Sequence, residues 1–146
     1  MKQIFSLLAL FSLILFSCSR QVSQDTIPTS LDGKWRMMIV KDNASGASIT
    51  KPSSIPGEVD IIFTSTNSTN GFFTGNTPTN EIWQSDYAVT PARLITIPAV
   101  SMTKVMETSW GNEFVTNITN SQEYGFETGG LLHIKTSTKT LTFLRL

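Results

Sequence analysis

One histidine and one cysteine are the only imidazole and thiol that this 146-residue chain offers to nucleophilic or metal chemistry. A hydrolytic site needs a nucleophile, a base and a group that orients the base. His133 is the single candidate imidazole base, and it stands in Leu131-Leu132-His133-Ile134. With Leu132 and Ile134 directed inward on a strand, His133 points outward and reads as a surface histidine. No G-x-S-x-G turn is present to present a serine. Metal binding is no better served, because one histidine without a free thiol leaves scattered carboxylates. Asp25 and Asp32, or Asp42 and Asp60, lack ligand-like spacing. The residues predict no catalytic group, no metal and no cofactor.

The cysteine has another use. Met1-Lys2-Gln3 supplies one positive charge, and Ile4 to Phe16 is apolar except for Ser6 and Ser12. A run this short after a basic start is a signal-peptide core, since a spanning helix needs ~20 residues. Leu15-Phe16-Ser17-Cys18 closes it and resembles a lipobox, with an aliphatic residue at −3, a small residue at −1 and then the cysteine. That resemblance implies cleavage after Ser17 and lipid on Cys18. The expected organisation is a lipoprotein signal peptide over 1–17, a lipidated tether over 18–30 and a β-rich domain over 31–146. The tether is polar, contains Pro28 and has no periodicity. Ser19 follows the cysteine where an inner-membrane retention signal would place Asp. The expected location is therefore the outer membrane, lipid-anchored and facing the periplasm, with the membrane as one partner.

Lys and Arg number 11 and Asp and Glu 11; removal of residues 1–17 takes away Lys2 and leaves a net charge of −1. The charges are scattered singly, so no basic stripe is available for nucleic acid. The remaining expected partner is an envelope protein of unknown identity. One polar segment could serve recognition. Gly75 to Asn80 is irregular and precedes Trp83, so Asn76, Thr77, Thr79, Asn80 and Trp83 form a possible recognition loop. Otherwise, Gly75 and Asn80 shape a turn between strands.

Several short elements must position these residues. Trp35–Val40 is a strand candidate with Trp35, Met37 and Ile39 on one face, and 41–57 is a long loop. Glu58–Ser65 alternates, with Val59, Ile61 and Phe63 inward and Glu58, Asp60 and Thr64 outward. Asn70-Gly71 suits a hairpin turn before Phe72-Phe73-Thr74. Trp83, Ser85, Tyr87 and Val89 share a face of the next strand, and Leu94–Ile97 is another. The period then lengthens. Met106, Trp110, Phe114 and Ile118 recur every four residues and predict one amphipathic helix, with Glu107 off its stripe. Gln122–Glu127, Leu131–Lys135 and Thr140–Leu146 close the chain as strands. About eight short strands and one helix predict a mainly β domain, either a small antiparallel barrel-like (lipocalin-like) fold or a sandwich. Trp35, Phe63, Phe72, Trp83, Tyr87, Trp110, Phe114 and Phe143 are expected to fill it.

The order of these elements resembles the META (HslJ-like) domain family. The resemblance rests on Leu31-x-Gly33-x-Trp35, on Gly75-x-x-x-x-Asn80 before a strand leading to Tyr87, on Thr103, on Glu113-Phe114 and on the terminal Leu141-x-Phe143-x-Arg145. It spans roughly 31–146. It implies a compact β-rich domain with one helix, exported and often lipidated, with no established catalytic activity. The chain departs from many members at Thr79 and near Met106, where those members carry cysteines. The expected function is that of a non-enzymatic envelope lipoprotein acting through protein–protein contacts, in stress tolerance or envelope maintenance. Gly33-x-Trp35 with a late Arg145 also resembles the lipocalin-type barrel, which implies the alternative of a small apolar ligand held inside.

Overall fold

The structure is a computed structural model and describes residues 27–146. The signal peptide, Cys18 and most of the tether lie outside the described residues. The strands are β1 (Gly33–Asp42), β2 (Ser48–Thr50), β3 (Asp60–Ser65), β4 (Asn70–Asn76), β5 (Glu81–Val89), β6 (Ile95–Thr96), β7 (Glu123–Glu127), β8 (Leu131–Lys135) and β9 (Lys139–Arg145). The helix α1 (Ser109–Ile118) joins β6 to β7. All nine strands belong to one antiparallel sheet of order β6-β5-β4-β3-β1-β9-β8-β7, with β2 pairing β1 beside β3.

The two ends of that order meet. Leu94 bridges Glu123, the Ile95 amide donates to the Gln122 carbonyl (3.0 Å), and the Tyr124 amide donates to the Arg93 carbonyl (2.9 Å). The sheet is a nearly closed barrel with one helix, as the alternation and turn spacing predict. Near-closure pairs edges that would otherwise be open to other chains. β2 lies inside the stretch expected to be a loop; its residues are all exposed, so no inward alternation marks it.

The interior is filled. Trp35, Ile61, Phe73, Trp110, Phe114, Leu132, Ile134, Leu141 and Phe143 are each 1% exposed or less. Phe63 contacts Phe73 and meets Tyr87 edge-on, with ring centroids 5.2 Å apart for the second pair. Phe114 of α1 meets Phe143 edge-on at 6.4 Å, which sets the helix against β9. The helix begins later than its four-residue repeat suggests. Thr108 is the N-cap, its hydroxyl accepting from the Gly111 amide (3.1 Å). Met106 therefore precedes the helix and is 91% exposed, and the buried stripe is Trp110, Phe114 and Ile118.

Two bulges change which residues face the core. Met37 pairs Phe143 but Ile39 pairs Thr142, so Met38 is an extra residue in β1 and Val40 replaces Ile39 inside. Phe73 pairs Ser85 but Gly75 pairs Ile82, so Trp83 and Gln84 together oppose Thr74. Ile82 then points inward and Trp83 outward, at 53% exposure. The expectation that Trp83 shares the face of Ser85 and Tyr87 and fills the core is thus corrected. In β4 the inward residue is Phe73, and Phe72 takes the outer face.

Asn70-Gly71 is likewise not the hairpin turn. The turn precedes it and is held by Asn67, whose Oδ1 accepts from the amides of Thr69 and Asn70 (both 2.9 Å). Gly71 lies in β4, where a Cβ would come within 2.5 Å of the Tyr87 phenol. Its small size makes room for that ring.

Arg145 lies over Trp35 at one end of the barrel. Trp35 pairs Arg145, whose guanidinium carbon lies 5.5 Å from the Trp35 ring centroid. Arg145 Nη2 also donates to the Asp32 carbonyl (3.0 Å).

Candidate functional site

The Gly75–Asn80 segment leaves β4 through a glycine with φ +154, where a Cβ would lie 2.0 Å from the Asp60 carbonyl oxygen. Both the conformation and the close approach of β3 require glycine there. The loop then folds inward. Thr77 is 4% and Asn80 3% exposed, and Thr79 is exposed. Asn76 is exposed and donates from Nδ2 to the Glu58 carbonyl (3.0 Å).

These groups converge on Glu107. Its carboxylate accepts from the hydroxyls of Thr77 and Thr79 (2.8 Å for Thr79), from Asn80 Nδ2 (2.8 Å) and from the Thr108 amide (2.9 Å). Asn80 is satisfied on both sides. Its Oδ1 accepts from Thr103 Oγ1 (2.9 Å) and the Val105 amide (2.8 Å), and its Nδ2 also donates to the Val105 carbonyl (3.0 Å). Burial alone would raise the Glu107 pKa. The hydrogen bonds from Thr77, Asn80, Thr79 and the Thr108 amide together outweigh it, and the carboxyl is held below its ordinary value. Glu107 ties the loop between β4 and β5 to the start of α1.

Sequence reasoning placed Glu107 on an outer helix face and missed this role. A signal was available in Gly111, four residues later in the helix. A Cβ at Gly111 would lie 2.2 Å from the Glu107 carboxyl. Glycine within a helix, against its propensity, marks a close approach.

Trp83 does not join this network. It heads a row across the outer face of the sheet. Leu146 lies opposite Lys34, its amide donating to the Lys34 carbonyl (2.9 Å). Lys34 pairs Ile62, Ile62 pairs Thr74, and Thr74 opposes the Trp83–Gln84 bulge. Leu146, Ile62 and Trp83 in this row are 54%, 42% and 53% exposed. Beside it, Arg36 grips Asp60 with two bonds (2.7 and 2.9 Å) and Lys34 approaches at 3.1 Å. Arg36 above all holds the Asp60 carboxyl below the usual carboxylate range. Asp60 offsets one of the two positive charges, so the row carries one cation, Lys34, among its exposed apolar residues.

His133 faces outward on β8, as its flanking residues predict. Its Nδ1 lies 3.0 Å from Thr142 Oγ1 and its Nε2 2.7 Å from Glu127 Oε2, across three neighbouring strands of the sheet. Among the described residues no three His, Cys, Asp or Glu side chains converge as a metal site, and no helix is long and apolar enough to cross a membrane. Of the residues singled out by sequence, the structure thus gathers Thr77, Thr79 and Asn80 around Glu107, sets Asn76 on Glu58 and leaves Trp83 on an outer row with exposed Ile62 and Leu146. Compared with protein-family models, curated proteins and solved structures, the chain matches none.

Proposed function

We propose that this chain is an envelope lipoprotein, anchored through Cys18 to the periplasmic face of the outer membrane, whose META-like domain works by contact with another envelope protein and not by catalysis. The observation that carries the reading is the outer row Leu146, Lys34, Ile62, Thr74 and Trp83. An exposed tryptophan and two exposed aliphatics aligned across neighbouring strands are the composition of a contact surface. The inward-turned loop supports it, because its polar groups are engaged with Glu107. Large side chains packed through the barrel speak for contact at the surface over a small apolar ligand held inside.

Two experiments test this. Cys18→Ser should lose acyl label and leave the membrane fraction; a variant that still pellets and carries label refutes the anchor. A photoreactive side chain at position 62 or 83 should give the same discrete adduct in intact envelopes, and one at exposed Thr116 on α1 should not. If 62 and 83 give no adduct, or all three positions label alike, the contact surface is refuted.

A further inference from the structure

The end of the barrel at which Leu31 enters carries a polar cleft that shares no residue with the Glu107 network. Its volume is about 320 Å³, and it is bounded by Ser30, Ser65, Asn67, Ser68, Tyr87 and Tyr124 among others. None of its described lining residues is Lys, Arg, His, Asp or Glu, but a carboxylate borders it: Asp32 accepts from the Ser30 hydroxyl (3.0 Å) and the Ser65 amide (2.6 Å). Tyr87 stays a neutral phenol, its pKa raised by burial, and its hydroxyl pairs with Ser65 Oγ (3.1 Å). Asn67 is already oriented, because its Oδ1 holds the turn. Its Nδ2, the Ser68 hydroxyl and the Tyr124 hydroxyl make no hydrogen bond to another described residue. Tyr124 is half-buried, its ring fixed edge-on against Phe126 at 5.7 Å. The cleft therefore combines a rigid aromatic surface, oriented amide and hydroxyl donors and acceptors, and no cation in its described lining.

We infer that this cleft binds a neutral sugar. Phosphates and carboxylates would enter beside the Asp32 carboxylate with no cation in the described lining to pair with, at a desolvation cost the site cannot offset, and an ammonium group would meet only Asp32, whose oxygens already accept from Ser30 and Ser65. A purely apolar ligand would cover amide and hydroxyl groups without satisfying them. A pyranose presents hydroxyls that both donate and accept, and an apolar C–H face that packs on a tyrosine ring. The volume lies at the small end of ligand pockets and suits one or two sugar rings. This inference does not depend on Cys18 or on the outer row.

The test is nuclear magnetic resonance titration of the full chain in a zwitterionic detergent, since sugar-headed detergents would compete. Maltose and N,N′-diacetylchitobiose are the probes, with glutamate and palmitate as charged and apolar controls. At least one disaccharide should give saturable amide shifts at Ser30, Ser65, Ser68 and Tyr124 below about 10 mM, a millimolar affinity typical of a shallow site. Ser68→Trp, which fills the cleft from an exposed turn, should abolish them. Tyr124→Phe keeps the ring and loses the hydroxyl, and should weaken binding several-fold. The inference is overturned if neither disaccharide gives a saturable shift, if a control binds there in its place, or if Ser68→Trp binds like the parent.

Discussion

Removing the Glu107 carboxylate should destabilise the domain although it lies beside the helix and not in the apolar core. In Glu107→Ala, Thr77 and Asn80 lose an acceptor while they stay buried. Each keeps a partner, because Thr77 Oγ1 still reaches the Asn80 carbonyl at 3.3 Å and Asn80 Nδ2 still reaches the Val105 carbonyl at 3.0 Å. A hydrogen bond to a charged group contributes about 1.5–3 kcal/mol, so two such losses, partly compensated, come to ~3 kcal/mol. For a domain of this size that is a fall in melting temperature of roughly 10 °C. The assay is thermal unfolding followed by circular dichroism. Two internal controls sharpen it. Gly111→Ala should also destabilise, despite alanine's better helix propensity, because its Cβ would strike the Glu107 carboxyl. In the Glu107→Ala background that clash is gone, and Gly111→Ala should become neutral or stabilising by up to ~1 kcal/mol. The pH dependence has a definite sign. The folded-state pKa is lowered from 4.5, so the carboxylate's contribution is present in full above that value. It is lost as the pH falls through the lowered folded value. Glu107→Gln should melt below the parent at neutral pH, and the gap should close on acidification through that window. A Glu107→Ala protein melting within about 2 °C of the parent, below the shift expected for ~1 kcal/mol, refutes the reasoning.

Other substitutions test other parts of the fold. Phe114→Ala should cost ~3–5 kcal/mol in chemical denaturation, since it empties the contact between α1 and Phe143. Trp110 is buried with an indole N–H that has no partner among the described residues. Trp110→Phe should therefore cost far less than Trp110→Ala, because it removes an unsatisfied donor worth about 1–3 kcal/mol as it trims volume; equal losses would show that the N–H is satisfied. Arg145→Ala removes the cation from the Trp35 ring and the bond to Asp32, and should lower stability by ~0.5–2 kcal/mol by the same denaturation measurement. Asp42 accepts from the Ser45 amide and hydroxyl and from Lys139, and its carboxyl should titrate at about 2 by nuclear magnetic resonance, its stabilising effect lost as the pH falls through that value.

Much of this protein is written in short-range pattern. The alternation of Val59, Ile61 and Phe63, and of Leu132 and Ile134, marks strands and their inner faces without reference to any partner. It does so because a side chain's face on a strand depends on parity alone. The same parity turns His133 outward and brings Arg145 to the face of Trp35. The four-residue spacing of Trp110, Phe114 and Ile118 marks the helix on equally local grounds. What local pattern does not reach are the places where parity is broken by a neighbour. The Trp83–Gln84 bulge exists because β5 carries one residue more than β4 between two pairs, and that surplus is a property of the pairing, not of either strand. Met38 in β1 is the same case against β9. Trp83 and Phe72 are as apolar as core residues, so composition alone assigned them to an interior they do not enter. Glu107 shows the converse. A charged residue just before a helix looks solvated until Thr77, Thr79 and Asn80, nearly thirty positions earlier, fold onto it. Sequence determined the elements and most of their buried faces, because those follow from backbone geometry and the hydrophobic effect acting over a few residues. Tertiary structure decided the registers, the outward tryptophan and the Glu107 hub, because each is an interaction between segments that no single segment encodes.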